Sequence, residues 1–296
     1  MLEHTHGASS HPERVVILGS GGFVGGALTA RLKKDGVQVL ALARTDLDLL
    51  ALDAAEKLSS KLRASDALVV ISARAPCKTP GMLEENIRMM RTVCDALEKQ
   101  SVDHIVYISS DAVYADSSKP MTEEFCAEPG SLHGAMHLAR EVMLKSVAGK
   151  APVAILRPTL IYGARDPHNG YGPNSFRRKA ARGEEIVLFG NGEERRDHVL
   201  IDDVAEVGAL TLFRRSGGVL NVATGEVMSF REIADQVAAM HTPAPPVRTT
   251  TRLGPMPHNG YRAFDIAACR KAFPDLKMIM LADGLRQLQH SDPTPY

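Results

Sequence analysis

The sequence predicts an α/β fold: a doubly wound, mostly parallel sheet covered by helices on both faces, with a small C-terminal lobe. Three observations lead there. Short apolar runs rich in Val, Ile and Leu alternate with longer helical segments, the pattern of parallel strands buried on both faces. The first run, Val15-Val16-Ile17-Leu18, enters a glycine-rich turn, Gly19 to Gly25, and an amphipathic stretch, Ala27 to Lys34, leaves it. After Arg165 the alternation breaks. Asp166 to Asn174 is rich in Pro, Gly and Asn, and Thr242 to Gly260 carries five prolines, as loops closing a lobe over a cleft would.

In order, strands are expected at Val15–Leu18, Val37–Ala43, Ala67–Ser72, His104–Ser109, Val153–Arg157 and Val219–Ala223. Helices are expected at Ala54–Arg63, Met82–Gln100, His133–Val147 and Asp202–Arg214. Right-handed crossovers between parallel strands place ligands at the carboxyl ends of those strands. Residues 1–13 read as a disordered tail, 14–166 plus 199–223 as a dinucleotide-binding domain, and 167–198 plus 224–290 as a substrate-binding lobe.

Composition excludes several classes. Lys plus Arg and Asp plus Glu number 35 each in 296 residues, so no net field draws the chain to nucleic acid or an acidic membrane. No apolar run approaches the roughly 18 residues of a membrane span. Cys77, Cys94, Cys126 and Cys269 are widely spaced with no CxxC pair, as expected of reduced thiols in a cytoplasmic protein. His4, His6 and His11 in the tail form a weak metal-binding pattern, and no resident metal is expected.

The glycine turn is the most specific signal. Gly19 permits a sharp bend, Gly22 lets backbone approach a pyrophosphate, and Gly25 lets the helix pack on the strand. The N–H groups opening the helix, at Phe23 and Val24, are suited to phosphate. This is a Rossmann-type arrangement for NAD or NADP, although a tight βα turn in an unrelated fold also uses glycines. The second strand runs into Arg44, whose guanidinium suits the 2′-phosphate of NADP. Arg31 could add a second charge. Asp46 and Asp48 lie slightly further on and could serve an NAD ribose. NADP is the expected cofactor, with NAD possible.

Further motifs follow in order: Ser109-Ser110-Asp111-Ala112-Val113-Tyr114, Leu156-Arg157-Pro158-Thr159-Leu160-Ile161-Tyr162-Gly163, Arg196-Asp197-His198-Val199-Leu200-Ile201-Asp202-Asp203-Val204-Ala205, and Asn221-Val222-Ala223-Thr224-Gly225. With the glycine turn they resemble the extended short-chain dehydrogenase/reductases, the NAD(P)-dependent sugar epimerase/dehydratase family, over about Arg14 to Leu288. Arg44 with Leu47-Asp48-Leu49-Leu50 is most similar to the branch of GDP-fucose synthases and dTDP-dehydrorhamnose reductases. The resemblance implies a nucleotide-sugar substrate and cofactor contacts from Ser72, Ala73 and Pro158. It also implies a homodimer through a four-helix bundle built from Met82–Gln100 and His133–Val147.

It further implies a Ser/Thr, a Tyr and a Lys that handle the substrate oxygen. Ser110 matches the first. The Tyr-x-x-x-Lys pair is missing. Its place reads His133-Gly134-Ala135-Met136-His137-Leu138-Ala139-Arg140-Glu141, and the glycine after the first member and the glutamate after the second secure the register. His133 stands for Tyr and His137 for Lys. In one reading His133 is the general acid/base that relays the proton, while His137 orients it or contacts the cofactor ribose. In a second, catalysis is lost and the chain is a silent NAD(P)-binding regulator. In a third, His133, His137 and Glu141 share a helix face and bind metal. Asp111 matches the acid of the family's dehydratases, but Ala112 replaces their glutamate base, so reduction or epimerisation is expected over dehydration. Asp111 otherwise reads as a loop cap.

In the lobe, Asn174 and Arg196 match positions that hold the nucleotide and its diphosphate, and Arg262 is a further diphosphate candidate. An internal salt bridge is an equal reading for Arg196. Asn86 matches a recurrent family asparagine, or simply satisfies polar groups between helix and sheet.

Overall fold

The structure, a computed structural model, describes residues 1–289; position 290, expected at the end of the lobe, lies outside them. Strand β1 is Glu3–His4, and β2, Arg14–Leu18, is buried along its whole length. Successive side chains of a strand face opposite sides. Val15 and Ile17 pack with Leu28 and Leu32 of α1 (Phe23–Lys34), whereas Val16 and Leu18 enter a second core. That second core includes Leu58 of α2 (Ala54–Ser59), Met90 and Val93 of α3 (Pro80–Lys99) and Leu144 of α4 (Leu132–Val147). Double coverage explains the unbroken apolar run, and each such side chain contributes on the order of 2 kcal/mol by burial.

The main sheet runs β3 (Val39–Leu42), β2, β4 (Asp66–Val70), β5 (His104–Ile108), β6 (Val153–Pro158), all parallel. The chain winds outward from β2 in both directions, so the glycine loop opens at the switch point where such sheets hold ligands. The helix expected over Ala54–Arg63 ends at Ser59. There the Ser59 and Ser60 hydroxyls donate to Glu56 O and Lys57 O, competing for helical carbonyls.

Next in the chain come β7 (Leu160–Tyr162), α5 (Pro173–Ala181), β8 (Ile186–Phe189), β9 (Arg195–Leu200), α6 (Ile201–Phe213) and β10 (Ser216–Val222). β10 pairs in parallel with β6 in the main sheet. β11 (Val227–Ser229), α7 (Phe230–Ala239), β12 (Val247–Thr250) and β13 (Tyr261–Arg262) complete the lobe. There β9 pairs with β7, β11 and β13, and β8 with β12. Phe176, Leu188, Phe230 and Ile233 form its core.

Two expectations are corrected. The N-terminal segment is not a disordered tail: β1 pairs antiparallel with β10, and His4 bonds Ser216 Oγ and Ala272 O at 2.8 Å each. It covers a sheet edge that would otherwise present unpaired backbone groups. Cys269, Ala272 and Phe273, expected in the substrate lobe, pack into the main core beside Val222. All four cysteines are free thiols, and no described helix is long and apolar enough to cross a membrane.

Buried histidines give the fold a pH signature. Burial pushes His104 down to about 4 and His198 to about 3, and holds His137 well below the usual range. Burial raises Asp197 and Asp203 to about 6. Unfolded histidines take up protons near 6.5 and the native ones do not, so their stabilisation is present at pH 7 and is lost on acidification. The aspartates act oppositely below about 6. The buried histidines outnumber these two aspartates, so stability should fall on acidification between pH 7 and 5. Urea unfolding midpoints across that range measure it; a midpoint rising on acidification would contradict the assignment.

Candidate active site

Gly19 has φ +93°, a region that favours glycine, and a Cβ there would lie 2.7 Å from Ser72 N. The loop therefore presses against the end of β4. A Cβ on Gly25 would lie 2.1 Å from Gly19 O, so α1 can begin this close to the strand only with glycine. Gly22 is the N-cap of α1 and no side chain caps the helix, which leaves N–H groups at Phe23 and Val24 for a ligand. Gly19, Gly22, Phe23 and Val24 line a cavity of about 1200 Å³, while Gly25 lies beneath the loop. This cradle, in which Gly19 and Gly25 leave no room for a Cβ and a helix N-terminus stands open, fits a dinucleotide pyrophosphate.

The same cavity is lined by Arg44, Ser72, Ala73, Ser110, Asp111, His133, His137 and Pro158, and further on by Asn174, Arg196 and Arg262. Thus the structure brings together residues expected to act together across more than 200 positions. Arg44 has a largely exposed side chain, 3.6 Å from Asp48. Arg31 is not available as a second charge: it is held by Glu206 and Asp35, because α1 packs against α6. Asp46 accepts from Ala43 N at 2.8 Å and Asp48 from Leu50 N at 3.1 Å, so both shape the turn after β3.

Ser110 Oγ caps a short turn by accepting from Ala112 N at 3.1 Å. Asp111 does more than cap a loop, since its Oδ2 accepts from Arg262 Nε at 2.7 Å. Arg262 also meets Asp116 at 3.2 Å. Arg196 donates from Nε to Glu194 at 2.7 Å, as the salt-bridge reading had it. Asn174 Oδ1 accepts from Gly163 N at 3.1 Å. Asn86 is wholly buried and satisfies the backbone of Arg74 and Met82.

The histidines sit on the first turns of α4, which Ser131 caps by accepting from Gly134 N at 3.2 Å. Gly134 is required there, since a Cβ would lie 1.9 Å from Ala112 O. The two rings are perpendicular with centroids 4.7 Å apart. His133 Nδ1 accepts from Cys77 N at 3.3 Å, and His137 Nδ1 lies 2.8 Å from the Tyr107 hydroxyl. Burial lowers both imidazole pKa values. The metal reading of this helix face loses its carboxylate: Glu141 accepts from Ser109 at 2.6 Å and binds Arg157 through both oxygens.

Sequence reasoning missed Tyr107 and Arg140. Tyr107 is a polar-tipped residue inside an apolar strand, and a buried tyrosine hydroxyl needs a partner, so that signal was present. Arg140, fully buried, donates to Ser72 O at 2.7 Å and lies 5.3 Å over the Tyr107 ring. Also missed were Glu194, Arg252 and His258 around the phosphate candidates, and an aromatic wall of Tyr171, Phe189 and Phe230.

Solved structures share this architecture. The UDP-glucose 4-epimerase of Thermus thermophilus, in complex with NAD, aligns over 92% of this chain and 96% of its own at 24% identity, with a TM-score of 0.79. A GDP-L-fucose synthetase from Naegleria fowleri bound to NADP aligns over 96% and 94% at 16% identity, with a TM-score of 0.82. The Thermotoga maritima UDP-glucose 4-epimerase with UDP-glucose aligns over 94% and 97% at 21% identity, with a TM-score of 0.80. At these identities the likeness speaks for the fold. Residues 15–223 match the NAD dependent epimerase/dehydratase family. With the glycine cradle at the switch point and the family's motifs gathered around one cavity, this chain belongs to the NAD-dependent epimerase/dehydratase family.

Proposed function

We propose that the protein is an NAD(P)-dependent oxidoreductase or epimerase of a nucleotide-linked sugar, exchanging hydride between the nicotinamide and a sugar carbon. The observation that carries this is the single cavity joining the glycine cradle, the His133–His137 pair and the Asn174–Arg196 end. The matched structures hold NAD, NADP or UDP-glucose by their own descriptions, which supports the same classes here. Phe23 and Val24 N–H groups would hold the pyrophosphate, with Ser72, Ala73, His137 and Pro158 along the cofactor. Arg44, charged and largely exposed at the ribose end, supports NADP over NAD. Arg196 and Arg262 would exchange their carboxylate partners for the substrate diphosphate, beside Asn174. A homodimer through α3 and α4 is part of this reading, supported by Val142 standing 62% exposed on α4.

Ser110 and His133 are the groups that meet the substrate oxygen. Proton relay through both nitrogens of His133 is opposed by the Cys77 N–H that faces its Nδ1, so His133 meets the substrate oxygen as a hydrogen-bond donor through Nε2. Asp111, paired with Arg262, is a positioning group here. The test is His133→Phe with cofactor binding followed separately. NADPH should bind both proteins, more tightly than NADH, and turnover of a nucleotide sugar should fall about 100-fold or more in the variant. Undiminished turnover would remove His133 from the chemistry. Tight cofactor binding with no hydride transfer to any nucleotide sugar tried would favour the silent regulator.

A further inference from the structure

The tautomers of the two histidines follow from their partners. Cys77 N can only donate, so His133 Nδ1, 3.3 Å away, is an acceptor without hydrogen. Tyr107 is fully buried, and its hydroxyl has no other partner among the described residues than His137 Nδ1 at 2.8 Å. A buried phenolic O–H left without an acceptor is costly, so Tyr107 donates and His137 Nδ1 is also bare. A neutral imidazole with a bare Nδ1 carries its hydrogen on Nε2. Among the described residues the hydrogen bonds of both imidazoles are made by Nδ1 and none by Nε2, and both residues line the cavity.

The surroundings oppose a second proton. Arg140 is buried with no carboxylate partner among the described residues, and its guanidinium lies over the Tyr107 ring behind His137. Each imidazole repels a charge on the other, and the positive end of α4 does the same. His168, on the loop across the cavity, adds to this at His133. Of the acids nearby, Asp111 faces His133 but is bound to Arg262, and Glu141 is taken up by Arg157 and Ser109. The Cys77 thiol is buried and turned to Thr79 O.

We propose that His133 and His137 form a pair of neutral imidazole donors whose Nε2–H groups stabilise negative charge on a substrate oxygen, with Tyr107 the positioning residue that sets the His137 tautomer. The ligand class is a carbonyl whose oxygen becomes an oxyanion. As the carbonyl carbon takes a hydride from the reduced nicotinamide, the C=O π electron pair moves onto oxygen. The two N–H groups hold that charge, and water supplies the proton that completes the hydroxyl. Preorganised donors of this kind act without changing their own protonation. Which oxygen is served rests on the proposed hydride exchange; the tautomers are a property of the chain alone, so the two readings can fail separately.

Nitrogen-15 NMR of the full-length protein, labelled at histidine, tests it without substrate. Signals are assigned by their loss in His133→Gln and His137→Gln. At pH 7 to 8.5 both residues should show a protonated Nε2 and a bare Nδ1, any titration midpoint should lie below pH 6, and adding NADPH should leave the tautomers unchanged. In Tyr107→Phe the His137 signals should move toward exchange between two tautomers while those of His133 stay. A titration midpoint above pH 6 at either residue, or a hydrogen on either Nδ1, overturns the donor pair. An unchanged His137 pattern in Tyr107→Phe overturns the role of Tyr107. If that variant fails to fold, the wild-type spectrum still decides the tautomers.

Discussion

Glu141→Ala is expected to destabilise the protein by about 3–5 kcal/mol, the range for breaking a buried ion pair from one side. The Glu141 carboxylate accepts from Arg157 Nε at 2.9 Å and Nη2 at 2.6 Å, and from Ser109 Oγ at 2.6 Å. Both charged side chains are almost completely buried. Truncation leaves the Arg157 guanidinium in low dielectric, over the Tyr114 ring 4.8 Å away and with no other carboxylate partner among the described residues. The loss exceeds that of a surface pair because the stranded charge cannot return to water. Glu141→Gln keeps acceptors while removing charge and should cost less. Replacing both partners by apolar residues of similar volume, Glu141→Leu with Arg157→Met, should recover much of the stability. Urea unfolding of the four proteins measures this, and a Glu141→Ala cost below about 1 kcal/mol would show that the pair is not desolvated as the structure has it. The pair ties α4 to β6, so its loss should also loosen His137 and His133, one and two turns away.

What could be read from the sequence shares one property: a single stretch of chain carries the whole geometry. The turn from Gly19 to Gly25 names its strand, bend and helix without reference to anything distant. The spacing of His133, Gly134, His137 and Glu141 fixes one face of one helix in the same way. What could not be read depends on partners brought together by folding. Arg31 looks available for a phosphate until α6 places Glu206, 175 residues on, against it. Arg262 and Asp111 were expected in separate roles, yet they bond across 151 positions. Tyr107 lies 30 residues before His137, and nothing local says that its hydroxyl ends on an imidazole. The docked N-terminus is a similar case. Two residues of strand carry no periodicity, and only the open edge of β10 gives them a place.

Gly25→Ala should cost both stability and cofactor affinity, and the two effects have one origin. The added Cβ would stand 2.1 Å from Gly19 O and 2.9 Å from Ser20 Cα, and these are backbone atoms that no rotamer change can move aside. Overpacking of this kind typically costs about 1–3 kcal/mol. Relief requires α1 to draw back from the loop, which carries the Phe23 and Val24 N–H groups away from the pyrophosphate position. NADPH affinity should then fall on the order of 100-fold, about 2.7 kcal/mol. Gly26→Ala is the control, because a Cβ there meets nothing closer than Ser20 O at 3.7 Å. It removes a glycine from a helix and should leave binding intact while raising stability by up to about 1 kcal/mol. Calorimetric titration of NADPH with thermal unfolding separates the pair. Equal affinities in the two variants would mean that the cradle is not held by the contact between Gly25 and Gly19, and the helix N-terminus would then lose its claim to the phosphate.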